Sequence, residues 1–211
     1  MGNFVITIGR ECGSGGRTIA KMLAERLQVN CYDKELLLLA SEHSGLCHEI
    51  LEHHDERPTN SFLYSLVMDT YSIGHSAAGY MEMPLNQKAF LAQFDTIKKL
   101  ADRESCIIVG RCADYALENR ANVLSVFFTA NYADKVDYVS EHYHIADNKL
   151  KDFITKTDKK RASYYNYYTN KKWGVASSYD LCINTSAVGY EGAVELILEA
   201  LEKKKKNMFK A

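Results

Sequence analysis

Short apolar runs and longer helical patterns alternate along most of the chain. The apolar runs are rich in Val, Ile, Phe or Cys and lack a clean alternation of apolar and polar positions. Such runs are typical of strands that are covered on both faces. The predicted strands are 4–8, 29–32, 106–109, 123–128 and 180–183.

Helical periodicity separates these strands. After the first strand, Ile19, Met22, Leu23 and Leu27 form one apolar stripe of a helix that begins near Thr18. The other helical patterns cover residues 34–41, about 87–103, 134–143, 147–168 and 191–205. Strands that alternate with helices predict an α/β fold with right-handed crossovers and a doubly wound parallel sheet. Sheets of this kind bind ligands at the carboxyl ends of their strands.

Two stretches break the alternation. Residues 44–86 lack a clear strand and contain both prolines of the chain, Pro58 and Pro84. This stretch is either a helical excursion that covers an acceptor site or simple packing. The second stretch is 147–172, where seven Lys or Arg face two Asp between residues 151 and 172, a local charge of +5. Tyrosines are interleaved with these charges, so the stretch is either a solvated helical face or a cationic lid over phosphates.

Composition limits the class of protein. The chain has 211 residues, enough for one domain with a sizeable core, and 46% apolar and 25% charged residues. These fractions exclude a disordered, collagen-like or membrane-embedded chain. Lys and Arg total 26 against 27 Asp and Glu, a net charge of −1. We therefore expect no nucleic-acid partner, and any basic site must be local.

The cysteines and the start of the chain indicate a reducing cytoplasm. The six cysteines are scattered without a Cys-x-x-Cys pair, and several lie in or beside apolar runs, where reduced Cys behaves as a small hydrophobe. The chain enters its first strand without the regions of a secretory signal. No stretch approaches the ~18 apolar residues that a spanning helix requires. We expect a cytoplasmic protein with no membrane partner.

A glycine-rich turn follows the first strand and precedes the first helix. From residue 9 it reads Gly-Arg-Glu-Cys-Gly-Ser-Gly-Gly-Arg-Thr. Glycines let successive backbone N–H groups point inward, and a helix N-terminus adds partial positive charge, so the turn predicts a phosphate cradle. The alternative is a turn without a ligand.

The fit of this turn to Gly-x-x-x-x-Gly-Lys-[Ser/Thr] is incomplete in either register. If Gly15 and Gly16 take the place of the Gly-Lys pair, the lysine is missing. If residues 16–18 are aligned with Gly-Lys-Thr, Glu11 stands where the first glycine belongs. Arg17, or with less support Arg10, is the candidate to replace the lysine.

Further blocks of sequence complete this pattern. They are the run from Ile6 through Ala20, Tyr32-Asp33-Lys34-Glu35-Leu36, Val109-Gly110-Arg111-Cys112-Ala113-Asp114, the Asp-Lys-Lys-Arg-Ala-Ser and tyrosine-rich run at 158–168, and Asp-Leu-Cys-Ile-Asn-Thr-Ser at 180–186. Together they resemble the cytidylate kinase-like family of P-loop proteins, a branch related to the bacterial cytidine monophosphate kinases. The resemblance implies a single three-layer α/β/α P-loop NTPase domain over 1–211, with a five-stranded parallel sheet, an acceptor-side excursion at 44–86 and a helical lid at 147–172.

The resemblance also implies transfer of the γ-phosphoryl group of ATP, with Mg²⁺, to a nucleoside monophosphate such as CMP or dCMP. The donor's phosphates would be bound by the loop residues Gly13, Ser14, Gly15, Gly16, Arg17 and Thr18. Within this set, Arg17 would supply charge as a catalytic residue, and Thr18 would lie near the metal.

The acceptor side follows from the same resemblance. Arg111 matches the arginine of a Gly-Arg-Asp motif that binds the acceptor's phosphate, for which a guanidinium fork is well suited. Asp158 and Arg161 match an Asp-x-x-Arg pair on the lid, where the arginine faces the transferring phosphate and the aspartate can meet a ribose hydroxyl. Asp33 ends the second strand, where the related kinases begin their acceptor-binding loop.

The chain departs from the family's pattern at three positions. The loop lysine is absent, Cys112 replaces the aspartate of Gly-Arg-Asp, and Ile154 stands where the kinases carry another arginine. Phosphoryl transfer depends mostly on positioning and on charge neutralisation. The alternative is therefore a nucleotide-binding or regulatory protein of the same fold that has lost transfer activity.

Two other classes of site fit the residues less well. Cys12 to Arg17 resembles the loop of a cysteine phosphatase, but four residues separate the two instead of five. The histidine-rich run at 48–54 misses His-Glu-x-x-His because Glu52 stands in the place of the second histidine.

Overall fold

Five parallel strands form the centre of the protein. The computed structural model describes residues 3–56 and 83–208. The strands are β1 (Val5–Arg10), β2 (Asn30–Tyr32), β3 (Cys106–Val109), β4 (Val123–Thr129) and β5 (Leu181–Asn184). Their order is β2-β3-β1-β4-β5, and every pairing between neighbours is parallel. The predicted parallel sheet is confirmed.

Helices fill the connections between the strands. They are α1 (Gly16–Leu27), α2 (Glu35–Ser44), α3 (His48–His54), α4 (Leu85–Arg103), α5 (Ala113–Ala116), α6 (Tyr132–His142), α7 (Asp147–Thr169) and α8 (Thr185–Met208), with a 3-10 turn at Ala176–Ser178. The last helix begins before the predicted residue 191 because two helical segments meet at Gly189, whose φ is 68°. The excursion predicted at 44–86 is described only at its ends, and residues 57–82 lie outside the described residues.

The sheet is covered on both faces, as the continuous apolar runs predict. In β3, Cys106 and Ile108 face a core that α4 and α7 complete, whereas Ile107 and Val109 face a core that α1 and α8 complete. Successive side chains of a strand point to opposite faces, so four consecutive apolar residues serve two cores. This arrangement confirms the three-layer α/β/α fold. In the part of the chain that the structure describes, the helices are too short or too polar to cross a membrane.

The carboxyl ends of the strands lie at one edge of the sheet and bring charged residues together. Arg10 is the last residue of β1, Asp33 follows β2, and Arg111 follows β3. The turn after β3 has three successive residues with positive φ, from Gly110 to Cys112. This left-handed turn directs the buried Arg111 side chain back to the sheet edge, where its Nη1 donates to the carbonyl of Val109 at 2.9 Å.

An aromatic stack joins α4 to α7 beneath this edge. The ring of Phe90 lies parallel to that of Tyr168, with 4.0 Å between centroids and 8° between planes, and both side chains are buried. We expect Phe90→Ala to lower the free energy of unfolding by about 3–5 kcal/mol because it leaves a cavity. Urea denaturation measures this loss. In the same helix Leu85 is exposed, and Leu85→Ala should change stability by less than about 0.5 kcal/mol. Equal effects of the two variants would contradict the packing role of the stack.

Candidate active site

The glycine-rich turn forms a closely packed loop between β1 and α1. Gly13 and Gly15 have φ of 80° and 72°, and Gly15 is the N-cap of α1. A Cβ at Gly13 would lie 2.6 Å from the carbonyl oxygen of Lys135, and one at Gly15 would lie 2.4 Å from the ring of Tyr190. Glycine is required at both positions, since a side chain meets both an unfavourable φ and a neighbour. The loop backbone is therefore held in one conformation against α6 and α8.

A pocket lies directly in front of this loop, and we call it the loop pocket. Its wall consists of loop residues, the aromatic side chains Tyr138 and Tyr143, and the three arginines Arg10, Arg17 and Arg161. Backbone N–H groups at a helix N-terminus and guanidinium groups are both groups that bind anions. The predicted phosphate cradle thus lies beside three arginines, and its binding of phosphate stays a prediction.

A second pocket adjoins the first, and we call it the aromatic pocket. It is lined by Arg111, Asp114 and the rings of Tyr164, Tyr165, Trp173 and Tyr179, together with Arg10, Glu56 and Arg161. Arg10 and Arg161 thus line both pockets. The two arginines mark the boundary between the loop pocket and the aromatic pocket.

Arg111 is held by carboxylates on two sides. Its Nε and Nη2 donate to Asp55 at 3.0 and 2.8 Å, and its Nη1 donates to Asp33. Burial acts to lower the pKa of the Arg111 guanidinium, but Asp55, Glu56 and Asp33 outweigh it and the pKa is raised. Arg111 therefore stays charged at the carboxyl end of β3, with its fork aimed at acidic groups.

Glu56 lies between Arg10 and Arg161. Its Oε1 accepts a hydrogen bond from Arg10 Nη1 at 2.7 Å, and its Oε2 lies 3.5 Å from Arg161 Nε. Burial acts to raise the pKa of this carboxyl, but Arg10, Arg161 and Arg111 hold it well below its usual range. Arg161 Nε is itself buried without a hydrogen-bond partner among the described residues. Two arginines thus share one carboxylate, and one of them retains a donor that a second anion could use.

Arg17 lies at the mouth of the loop pocket. Its Nε donates to Asp33 Oδ2 at 2.5 Å, and its side chain is 40% exposed. This placement brings Arg17 to the pocket but turns its guanidinium toward the end of β2. The role of Arg17 as a replacement for the lysine stays a prediction.

Asp158 contacts the loop and not the pocket of Arg111. Its Oδ1 accepts a hydrogen bond from the backbone N–H of Cys12 at 2.6 Å, and its Oδ2 lies 3.8 Å from Lys135 Nζ. Burial raises the pKa of this carboxyl, although Cys12, Lys135 and Arg161 oppose the change. In this structure Asp158 fixes the loop to the lid helix, and its contact with an acceptor stays a prediction.

Three residues at the site were missed by sequence reasoning or given too small a part. Lys135 of α6 is buried with its Nζ 2.5 Å from Glu11, so it anchors the start of the loop. Glu56 follows α3 and has no motif around it that could have identified it. Arg10 was only the second candidate to replace the lysine, because the strand predicted at 4–8 ends two residues too early; the observed β1 ends at Arg10, at the edge where ligands bind.

Cys12 does not have the surroundings of a nucleophile. Its side chain is buried, and burial raises the pKa of its thiol despite the proximity of Arg161. A phosphatase cysteine acts as a thiolate with a lowered pKa. The structure therefore contradicts the phosphatase reading of residues 12–17.

A magnesium ion that arrives with ATP requires few protein ligands. Mg²⁺ in kinase sites is bound by one or two protein oxygens together with phosphates and waters. Among the described residues, no three His, Cys, Asp or Glu side chains converge as a metal site. Thr18 Oγ1 lies 3.0 Å from the hydroxyl of Tyr138 and lines a cavity beside α6. Thr18 as a ligand stays a prediction, one that requires its hydroxyl to leave Tyr138.

The chain is similar to known proteins over most of its length. The model of the cytidylate kinase-like family matches residues 5–187. A crystal structure of an uncharacterized protein from Eubacterium ventriosum ATCC 27560 shares 29% identity and a TM-score of 0.69, covering 95% of this chain and 99% of that one. A shikimate kinase from Bacteroides thetaiotaomicron shares 20% identity and a TM-score of 0.52, covering 94% and 98%. This second likeness shows the fold alone, a P-loop kinase fold. A search of curated protein sequences finds no match.

Removal of the carboxylate that Arg10 and Arg161 share should destabilise the protein and strengthen the binding of an added anion between these two arginines. We expect Glu56→Gln to lower the free energy of unfolding by about 3 kcal/mol, because it leaves Arg10 and Arg161 buried without their counter-charge. Pyrophosphate should then raise the thermal midpoint of this variant more than that of the wild type. Differential scanning calorimetry measures both effects.

Glu118→Gln is the matched control for this variant. Glu118 pairs with Lys171 at 2.9 Å in a partly exposed position, so its loss should cost less than about 1 kcal/mol. If Glu56→Gln lost no more stability than this control and gained no more from pyrophosphate, Glu56 would not occupy an anion-binding position between Arg10 and Arg161.

Proposed function

The chain belongs to the cytidylate kinase-like family, and from this premise we propose that it transfers the γ-phosphoryl group of ATP to a nucleoside monophosphate. The family and the P-loop kinase fold support phosphoryl transfer of the nucleotide-kinase type. We propose CMP or dCMP as the acceptor, by the resemblance to the cytidine monophosphate kinases. The observation that carries the proposal is the pair of adjoining pockets that share Arg10 and Arg161.

The loop pocket suits the donor's phosphates. In phosphoryl transfer the protein forms few or no covalent bonds with the substrates, so catalysis depends on positioning and on the neutralisation of charge on the transferring group. Loop N–H groups from Gly13 to Gly16 and the N-terminus of α1 would position the β- and γ-phosphates. Bound Mg²⁺ would neutralise further charge on these oxygens. Arg161, which α7 places at the boundary of the two pockets, would contact the γ-phosphoryl group during transfer.

The aromatic pocket suits the acceptor. Arg111 lines it, and in this structure its planar fork binds the two carboxylate oxygens of Asp55. Two oxygens of the acceptor's phosphate would take the place of that carboxylate. Its wall carries Tyr165, Trp173 and Tyr179, aromatic side chains on which a nucleobase would stack once the cavity of about 20 Å³ widens to admit it. Cys112 is buried and gives the base no carboxylate, but Asp114 of α5 lines the pocket and accepts a hydrogen bond from Tyr165 at 2.6 Å.

The reaction requires no general base on the protein. The attacking atom would be an oxygen of the acceptor's phosphate, which is already ionised at neutral pH. The protein therefore has to supply only positive charge. Arg10 and Arg161 line both pockets, and Arg111 of the aromatic pocket belongs to the same buried network of charges. The lid helix α7 covers both pockets and would exclude water, which limits hydrolysis of ATP.

We also place the protein in the cytoplasm, with small nucleotides as its partners. All six cysteines are free, as expected in a reducing compartment. ATP and nucleoside monophosphates are both supplied in that compartment.

A coupled assay of ADP release tests the proposal. The wild type with ATP and Mg²⁺ would be assayed against each ribo- and deoxynucleoside monophosphate. We expect turnover that depends on the acceptor and is fastest with CMP or dCMP. Binding of ATP by titration without turnover on any acceptor would instead favour the nucleotide-binding or regulatory alternative.

Arg111→Lys tests the acceptor side separately. The substitution retains the charge and loses the fork, so we expect the KM for the acceptor to rise about 10-fold or more while ATP affinity stays within about 2-fold. Arg120→Lys is the control, because Arg120 pairs with Asp102 on the surface. Equal losses for donor and acceptor would contradict the role of Arg111.

A further inference from the structure

The loop carries two departures from Gly-x-x-x-x-Gly-Lys that are complementary. The structure selects the register, since Gly15 is the N-cap of α1 and Gly16 its first residue, where the Gly-Lys pair of such a loop belongs. In that register the first glycine of the motif falls on position 10. The chain therefore has arginine where the motif has glycine, and glycine where the motif has lysine.

Positions 10 and 16 are also neighbours in space. A Cβ at Gly16 would lie 2.8 Å from the Cβ of Arg10 and 3.1 Å from the ring of Phe128. Gly16 does not have a positive φ, so its backbone conformation does not require glycine. The reason for glycine at 16 is the space that the Arg10 side chain takes. The loop has room for a cationic side chain at one of these two positions.

The guanidinium of Arg10 lies where a phosphate-binding cation is needed. It lines both the loop pocket and the aromatic pocket, and the side chain is 7% exposed. Its carboxylate partner is Glu56, which it shares with Arg161. Arg17 is different, because it is 40% exposed and turned to Asp33 at the pocket mouth.

We infer that Arg10 is the phosphate-binding cation of this loop, entering from the end of β1 in place of a lysine at the start of α1. Glycine at position 16 leaves the space that the Arg10 side chain occupies. The inference rests on the proposed function and adds a residue that contacts the donor's phosphates. A guanidinium at the boundary of the pockets has a fork that reaches two phosphate oxygens, which an ammonium group does not have. Glu56 binds the guanidinium of Arg10 in this structure, and a phosphate of the donor would take the place of the Glu56 carboxylate.

An exchange of the two residues tests this inference. Arg10→Gly combined with Gly16→Lys gives Gly-Glu-Cys-Gly-Ser-Gly-Lys within the same chain, which restores both the first glycine and the lysine of the motif. The readout is ATP affinity by isothermal titration, and the thermal midpoint of each variant shows that it is folded. We expect Arg10→Gly to weaken ATP binding by about 10- to 100-fold, the loss of hydrogen bonds to a charged group.

The other variants complete the test. Gly16→Lys alone should lower both the thermal midpoint and ATP affinity, because the new side chain collides with Arg10. The double variant should recover ATP binding to within about 10-fold of the wild type, a residual loss of about 1.4 kcal/mol. Arg10→Gln retains the length of the side chain without its charge and replaces Arg10→Gly if the latter does not fold. Arg17→Ala should change ATP affinity less than either variant of Arg10.

The results separate this inference from the proposed function. A folded double variant that binds ATP no better than Arg10→Gly, or a greater loss in Arg17→Ala than in Arg10→Gln, would overturn the role of Arg10. A wild type that binds ATP, loses it with Arg10 and transfers to no acceptor would support Arg10 and reject the kinase. A wild type that does not bind ATP would reject both.

Discussion

The structure depends on the compensation of arginine charge at the carboxyl edge of the sheet. Arg10 and Arg17 of the glycine-rich loop, Arg111 and Arg161 come from three different parts of the chain and meet three carboxylates, Asp33, Asp55 and Glu56. Among these seven side chains, four positive charges face three negative ones. Buried charges are tolerated only when they are paired and hydrogen-bonded, so the residues that follow α3 must lie over this edge. The proposed function uses the same condition, since a phosphate would take the position of a carboxylate at this edge.

The sheet and the helices could be predicted because their signal is local. Each strand of the core is a short apolar run, and Ile19 and Leu23 already mark the buried face of α1. The start of α8 could not be predicted, because it depends on a bend at Gly189 that joins two helical segments. The glycine-rich loop and Arg111 were identified from motifs that place a ligand at strand ends. Their surroundings were not, since the ion pair of Arg10 with Glu56 joins residues 46 positions apart.

The two departures in the loop acquire a physical reason in three dimensions. A missing lysine read along the sequence indicates a damaged site. In the structure, Gly16 packs against Arg10, so a cation missing at position 16 is matched by a cation present at position 10. Asp158 shows the converse, because a residue that matches the family's acceptor-side motif contacts the loop backbone instead. Motif positions therefore predict which residues approach the site better than they predict which atoms they contact.

The central claim is that donor and acceptor phosphates meet at the boundary formed by Arg10 and Arg161. Titration with adenosine joined to cytidine through five phosphates measures this directly, because one molecule would occupy both pockets. The account predicts binding of one ligand per chain, at least about 100-fold tighter than ATP or CMP alone, since the second contact becomes intramolecular. Affinity no greater than that of ATP would contradict the claim that the two pockets form one site.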